Sequence, residues 1–218
     1  MLNIKQQLRE AETEKRRLTK IKQKEDLRKE LRQKQEEIKQ LKDCRKVVIV
    51  GDSIIKHIPP IEGVTVKSFP GATIGKLHYL LEKGFLSLKG FSYIILHVGT
   101  NNIARNCSVS DMLADFTNLL AKIRKISPEI HIIVSAILPR PVDIKVTEKK
   151  IKEFNLMLDT QLSKDLKFKF IKSYRPFLHC GEIKLHFFAR LDGGLHLNLE
   201  GSARLGHFFH RVISTLSY

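Results

Sequence analysis

The stretch Lys46-Val47-Val48-Ile49-Val50-Gly51-Asp52-Ser53 decides how the rest of this chain is read. A near-continuous run of β-branched residues is what a central strand needs when it is buried on both faces of a parallel sheet. The run passes directly into Gly51-Asp52-Ser53 and then into the helix-like IIKHI. A serine in this position stands at the carboxyl end of a strand. It lies near a helix amino terminus, whose N–H groups favour developing negative charge.

Four more β-like runs follow: GVTVKSF at 63–69, YIILHV at 93–98, IHIIVSAIL at 130–138 and KFKFIKSY at 167–174. Helical patterns separate them, at Thr73 to Lys83, Val109 to Ile126 and Thr147 to Leu162, with a last one from about Leu199 to Leu216. Such alternation predicts an α/β fold with right-handed crossovers, a parallel sheet and helices on both faces. In these sheets ligands bind at the carboxyl ends of the strands, so those ends are where chemistry belongs.

The second strand ends at Pro70-Gly71-Ala72, where a glycine lets the backbone approach a ligand closely. The third ends in Gly99-Thr100-Asn101-Asn102, and an asparagine amide there is a good neutral donor to an oxyanion. Arg140, in LPRPVD after the fourth strand, falls on the same face and is placed to meet an anionic substrate group. Near the carboxyl end, RLDGGLHLNLEG puts Asp192 and His196 in a loop before the last helix, with Asn198 as that helix's cap. Singly, each has a structural explanation: a turn glycine, a capping asparagine, a packed loop histidine. Together, Ser, Gly, Asn and His arrive in order, each at the end where a parallel sheet puts its ligands.

The first 43 residues differ from all this. They contain neither Gly nor Pro and are dominated by Lys, Glu, Gln, Arg and Leu, which are strong helix formers. Apolar residues recur at Ile4, Leu8, Ala11 and Leu18, then at Leu27, Leu31, Ile38 and Leu41, with a slip in register near Ile21 and with Lys15 and Lys34 at seam positions. A polar helix this long has little to bury by itself, so residues 1–43 are expected to self-associate as a coiled coil, dimeric or of another order, with a globular domain over 44–218.

The 218 residues carry a formal net charge of +16, of which +6 lies in residues 1–45 and +10 in the remainder. A balance of this sign favours contact with nucleic acid or anionic membrane surfaces and says nothing about fold. Cys44, Cys107 and Cys180 show neither CxxC spacing nor a partnering histidine cluster, so they read as reduced thiols and not as zinc ligands or disulfides. The polar start and the shortness of every apolar run predict a soluble, cytoplasmic protein.

The ordered set Gly51-Asp52-Ser53, Gly71, Gly99-Thr100-Asn101-Asn102 and Asp192-Gly193-Gly194-Leu195-His196 resembles the SGNH hydrolase family, the GDSL-type esterases and acylhydrolases. The resemblance spans about residues 45–216. It implies a flavodoxin-like three-layer fold with sheet order 2-1-3-4-5. It further implies Ser53 as nucleophile, His196 as its base and Asp192 as the carboxylate that orients the imidazole. The oxyanion donors would be the N–H groups of Ser53 and Gly71 and the Asn101 amide, acting on a lipid or acetyl ester without metal or organic cofactor. A charged helical arm ahead of such a domain is also similar to the first-open-reading-frame proteins of LINE-type retrotransposons, which implies a place in an RNA–protein particle. The competing reading is a basic nucleic-acid-binding protein that keeps the scaffold with little turnover. Two departures stand out. Asn102 replaces the aspartate of the family's GxND block, and the spacing to the histidine is DxxxH in place of DxxH, which a bulge at Gly193-Gly194 could absorb.

Overall fold

The computed structural model describes residues 2–43 and 46–216, and within the first of these segments the side chains of Glu12 and of residues 15–36. The chain divides into two compact units, residues 1–44 and 45–218. In the first unit, helix α1 runs from Leu2 to Asp43, 42 residues. All its described side chains are exposed, including Leu18, Ile21, Leu27 and Leu31. The side chains of the expected seam positions Ile4, Leu8, Ala11, Ile38 and Leu41 lie outside the described ones, and Cys44 lies outside the described residues.

The second unit is built on five parallel strands: β1 (Val47–Gly51), β2 (Val64–Ser68), β3 (Tyr93–His97), β4 (His131–Ser135) and β5 (Lys169–Ile171), in the order 2-1-3-4-5. Between them come α2 (Ile74–Glu82), the short α3 (Thr100–Ala104), α4 (Val109–Ile126), α5 (Ile144–Met157) and α6 (Ser163–Asp165). A two-stranded hairpin, β6 (Leu178–His179) with β7 (Glu182–Ile183), precedes the final helix α7 (Leu199–Ser214). Every residue of β1 and β3 is buried, as the unbroken apolar runs require. Alternate side chains feed two cores. Val48, Val50, Ile94, Leu96 and Val134 pack with Leu77, Met112, Phe116 and Phe154 of α2, α4 and α5. Val47, Ile49, Ile95 and Ile133 pack with Leu205 and Phe209 of α7 and with Phe177 and Phe187. This is the three-layer α/β/α architecture expected from the strand–helix alternation.

The boundaries differ where side chains replace the ladder. β4 stops at Ser135, short of the apolar run's end at Leu138, because the Asn155 side chain takes both the N–H and the carbonyl of Ile137, at 2.9 Å each. Pro139 and Pro141 then lack the N–H a longer strand would use. The helix expected from Thr147 begins earlier, at Ile144, and it closes through a π turn at Leu158–Leu162. The helix expected after Ser53 is a single 3₁₀ turn, Ser53–Ile55. Pro59-Pro60 bar any helix here from running past Ile58.

Candidate active site

The loop after β1 is held from every side. The N–H of Asp52 donates to the His97 carbonyl at 3.3 Å, and the Ser68 hydroxyl donates to the Asp52 carbonyl at 2.8 Å. The Ile54 N–H donates to Asp52 Oδ1 at 3.0 Å and caps the 3₁₀ turn. Ser53 is thereby presented at the strand end, half-buried, with its Oγ 3.0 Å from His196 Nε2.

His196 comes from the loop before α7. Its other ring nitrogen, Nδ1, is 2.7 Å from Asp192 Oδ2. The extra residue between Asp192 and His196 is taken up by two consecutive glycines in the left-handed region, Gly193 at φ 69° and Gly194 at φ 89°. Their turn wraps the backbone round the carboxylate. Oδ1 accepts from the N–H groups of Gly194 (3.1 Å) and Leu195 (3.0 Å), and Oδ2 from the N–H of His196 (3.2 Å). Against a partial burial that raises it, these bonds and the one from the imidazole hold the Asp192 carboxyl below its ordinary value. The group is ionised at neutral pH and aimed at the ring.

Opposite this pair stand the loops after β2 and β3. Phe69-Pro70-Gly71-Ala72 forms a turn closed by the Ala72 N–H to the Phe69 carbonyl at 3.0 Å, with Gly71 at φ 75°. Proline and then glycine in the two central positions is the signature of a type II turn. Among the described residues, neither the Ser53 N–H nor the Gly71 N–H has an acceptor in the protein. Asn101, in the first turn of α3, donates one amide hydrogen to the Ala72 carbonyl at 2.9 Å, which ties α3 to the Gly71 turn. An asparagine amide carries two hydrogens, so a second donor remains on that side chain.

Arg140 is buried, not at the mouth. Its guanidinium makes a two-pronged contact with Asp143 (3.0 and 2.7 Å) and donates to the Thr100 carbonyl at 3.2 Å. It braces the turn that carries Asn101. An apolar pocket of about 410 Å³ lies beyond this brace, between α5 and β5, and neither Ser53 nor His196 is among its lining residues.

Three buried groups escaped sequence reasoning because only their surroundings give them a role. Asn102 Oδ1 accepts from the Ile74 N–H at 3.0 Å, so this residue anchors the start of α2. Replacing Asn102 with leucine should lower stability by about 1–3 kcal/mol, the cost of leaving a buried N–H without its acceptor; thermal melting measures it, and an unchanged melting temperature would contradict the anchor. Asp52 is wholly buried, and among the described residues its Oδ2 has no partner. Burial raises its pKa to about 6, against the lowering effects of the Ile54 N–H and of the charges on His196 and Arg140. His97 is buried beside it, with Nδ1 2.8 Å from the Ser135 hydroxyl, and burial lowers its pKa to about 4.

These two shifts act on stability in opposite directions. Between the ordinary value of 3.8 and about 6, folded Asp52 holds more proton than unfolded Asp52, so its contribution falls as pH rises. Between about 4 and the ordinary 6.5, folded His97 holds less proton than unfolded His97, so its contribution rises with pH. In the wild type they largely offset. Asp52→Asn should leave His97 unopposed, so the variant's melting temperature should climb across that window more steeply than the wild type's. Parallel profiles would show that Asp52 does not titrate there.

The sheet order, the three layers and the strand-end loops define the flavodoxin-like α/β/α fold of the SGNH hydrolases. Residues 49–204 match the model of the GDSL-like lipase/acylhydrolase family, and the chain belongs to that family. Among solved structures, a Streptococcus pneumoniae protein assigned provisionally as a platelet activating factor superposes with a TM-score of 0.66 at 20% identity, over 86% of this chain and 96% of that one. The lipase/acylhydrolase of Enterococcus faecalis gives 0.60 at 23% identity, over 78% and 95%. The esterase domain of the ORF1 protein from the zebrafish ZfL2-1 retrotransposon is 26% identical over 78% of this chain and 99% of its own, with a TM-score of 0.41. No curated protein matches the chain.

Proposed function

We propose that this protein is a serine esterase acting on carboxylic esters, lipid or acetyl, through Ser53, His196 and Asp192. The observation that carries the reading is the unbroken line of hydrogen bonds from the Ser53 hydroxyl through the imidazole to the Asp192 carboxylate, at 3.0 and 2.7 Å. Asp192 holds the ring with its proton on Nδ1, leaving Nε2 free to accept. Ser53 Oγ attacks the ester carbonyl as its proton passes to Nε2. The tetrahedral oxyanion is met by the N–H groups of Ser53 and Gly71 and by the remaining Asn101 amide hydrogen. His196 returns the proton to the departing alcohol oxygen. Water then attacks the acyl-enzyme with His196 again as base, releasing the acid and restoring Ser53.

Arg140 supports this chemistry by fixing the Thr100 turn, and a second N–H on each of its terminal nitrogens is left to meet an anionic substrate group. Residues 1–43 are read as the arm through which copies associate, and residues 44–218 as the catalytic unit, in a cytoplasmic particle that also holds nucleic acid.

Covalent trapping tests the catalytic reading. A fluorophosphonate should label the intact chain at Ser53, with the adduct located by peptide mass spectrometry. A folded chain that resists the probe, yet binds RNA with a steep loss of affinity in salt, would shift the function to the net charge of +16 and to nucleic-acid binding on a hydrolase scaffold.

A further inference from the structure

β5 stands at one edge of the sheet, and among the described residues no strand pairs with its outer side. Consecutive residues of a strand turn their backbone groups to opposite sides. The Ile171 carbonyl accepts from the Ala136 N–H at 3.0 Å, on the β4 side. The N–H and carbonyl of Phe170 therefore face outward, and among the described residues no turn or loop takes them.

This strand is flanked by two pockets of different chemistry. Toward α5 lies the apolar pocket of about 410 Å³, where Phe170 and Lys172 meet Ile144, Ile151, Leu156 and Ile183. Toward α7 lies a cleft of about 620 Å³, which shares Phe170 and Lys172 and is walled by Arg175, Arg204, His207 and Arg211. None of its lining residues is acidic. Arg175, Arg204 and Arg211 are exposed and, among the described residues, pair with no carboxylate.

We propose that an extended acidic peptide of a partner protein adds to β5 as a sixth strand. One of its side chains enters the apolar pocket, and the next, a carboxylate, enters the cationic cleft. In such an addition main-chain bonds supply affinity, and pockets for alternate side chains supply specificity. The charge of the cleft selects an acidic chain. A second copy of β5 is disfavoured, because Lys169 and Lys172 would face their own likes, a pattern by which edge strands resist self-pairing. A nucleic acid offers no peptide groups to the Phe170 edge. Phe170 and Phe208 also pack against the two cores instead of presenting their faces for bases to stack on. The binding is independent of the chemistry at Ser53.

The test is fluorescence anisotropy with the full-length chain and a capped, fluorescein-labelled heptapeptide that alternates glutamate with leucine. Wild type should bind it and should not bind the matched peptide that alternates lysine with leucine. Two further peptides carry N-methyl groups, one on its leucine nitrogens and one on its glutamate nitrogens. In an added strand only one of these sets faces β5, so one peptide should lose about 10- to 100-fold in affinity and the other little. Arg175→Glu combined with Arg211→Glu should weaken binding by about tenfold or more. Its melting temperature should stay close to wild type's, because both residues are exposed. An acidic peptide that fails to bind by about 1 mM, equal losses from the two methylated peptides, or a double variant that binds as wild type does would each overturn the proposal. So would a short single-stranded RNA that binds more tightly than the peptide and is lost in the double variant, which would assign the cleft to nucleic acid.

Discussion

Replacing Ser53 with alanine is expected to lower hydrolysis of p-nitrophenyl acetate by about 10⁴- to 10⁶-fold, the range seen when a triad nucleophile is deleted. The size follows from the mechanism. Without the hydroxyl no acyl-enzyme forms, and only the oxyanion donors and substrate positioning are left to help a direct attack by water. The fold should not notice the change, since among the described residues the Ser53 hydroxyl bonds only to His196, while the rigid loop around it is held through Asp52. Thermal melting within about 0.5 kcal/mol of wild type is therefore expected for this half-buried position. The measurement is steady-state hydrolysis of acetyl and longer acyl esters by both proteins. Turnover that persists in Ser53→Ala would remove the serine from the chemistry.

Asp192→Asn should cost about 10³- to 10⁴-fold in kcat with little change in KM. Both Asp192 oxygens act as acceptors, one for the N–H groups of Gly194 and Leu195, the other for the N–H of His196 and its ring Nδ1. An asparagine has one oxygen, so one of these positions must turn an NH₂ toward donors. If the amide faces the ring, it favours the tautomer with hydrogen on Nε2, and the ring can no longer accept the Ser53 proton. If it faces the backbone, the Gly193-Gly194 turn loses two of its bonds. The pH–rate profile separates the cases, because a wrong tautomer depresses the rate at every pH. A loss of less than tenfold would mean that Ser53 and His196 work as a dyad.

Much of the fold is present in local patterns. The apolar runs around Val47–Gly51 and Tyr93–His97 can be satisfied only by a strand buried on both faces, so their periodicity marked the sheet's centre. Phe69-Pro70-Gly71-Ala72 spells its own turn, and Asn198 caps α7 by accepting from the Gly201 N–H at 2.9 Å. Where a side chain from a distant element takes over a backbone group, local pattern misleads. Asn155 ended β4 early.

For the candidate site, the sequence by itself determined which residues were available and at which end of the sheet they had to stand: Ser53, Gly71, Asn101, Asp192 and His196, each set by a strand end or a helix start. Only the tertiary structure decided how they meet. Ser53 and His196 are 143 positions apart, and no local rule measures the 3.0 Å between them. The spacing of Asp192 and His196 left open whether carboxylate and ring could touch. The answer lay in two left-handed glycines seated against Pro141 and Val142. Arg140, legible as a cation at the site, became a buried brace because Asp143 and the Thr100 carbonyl lie within its reach. Asp52 gained its raised pKa from burial that the tripeptide Gly-Asp-Ser does not reveal. Residue types and strand ends are properties of short segments, whereas distance, desolvation and the choice of hydrogen-bond partner arise only when remote segments are packed together.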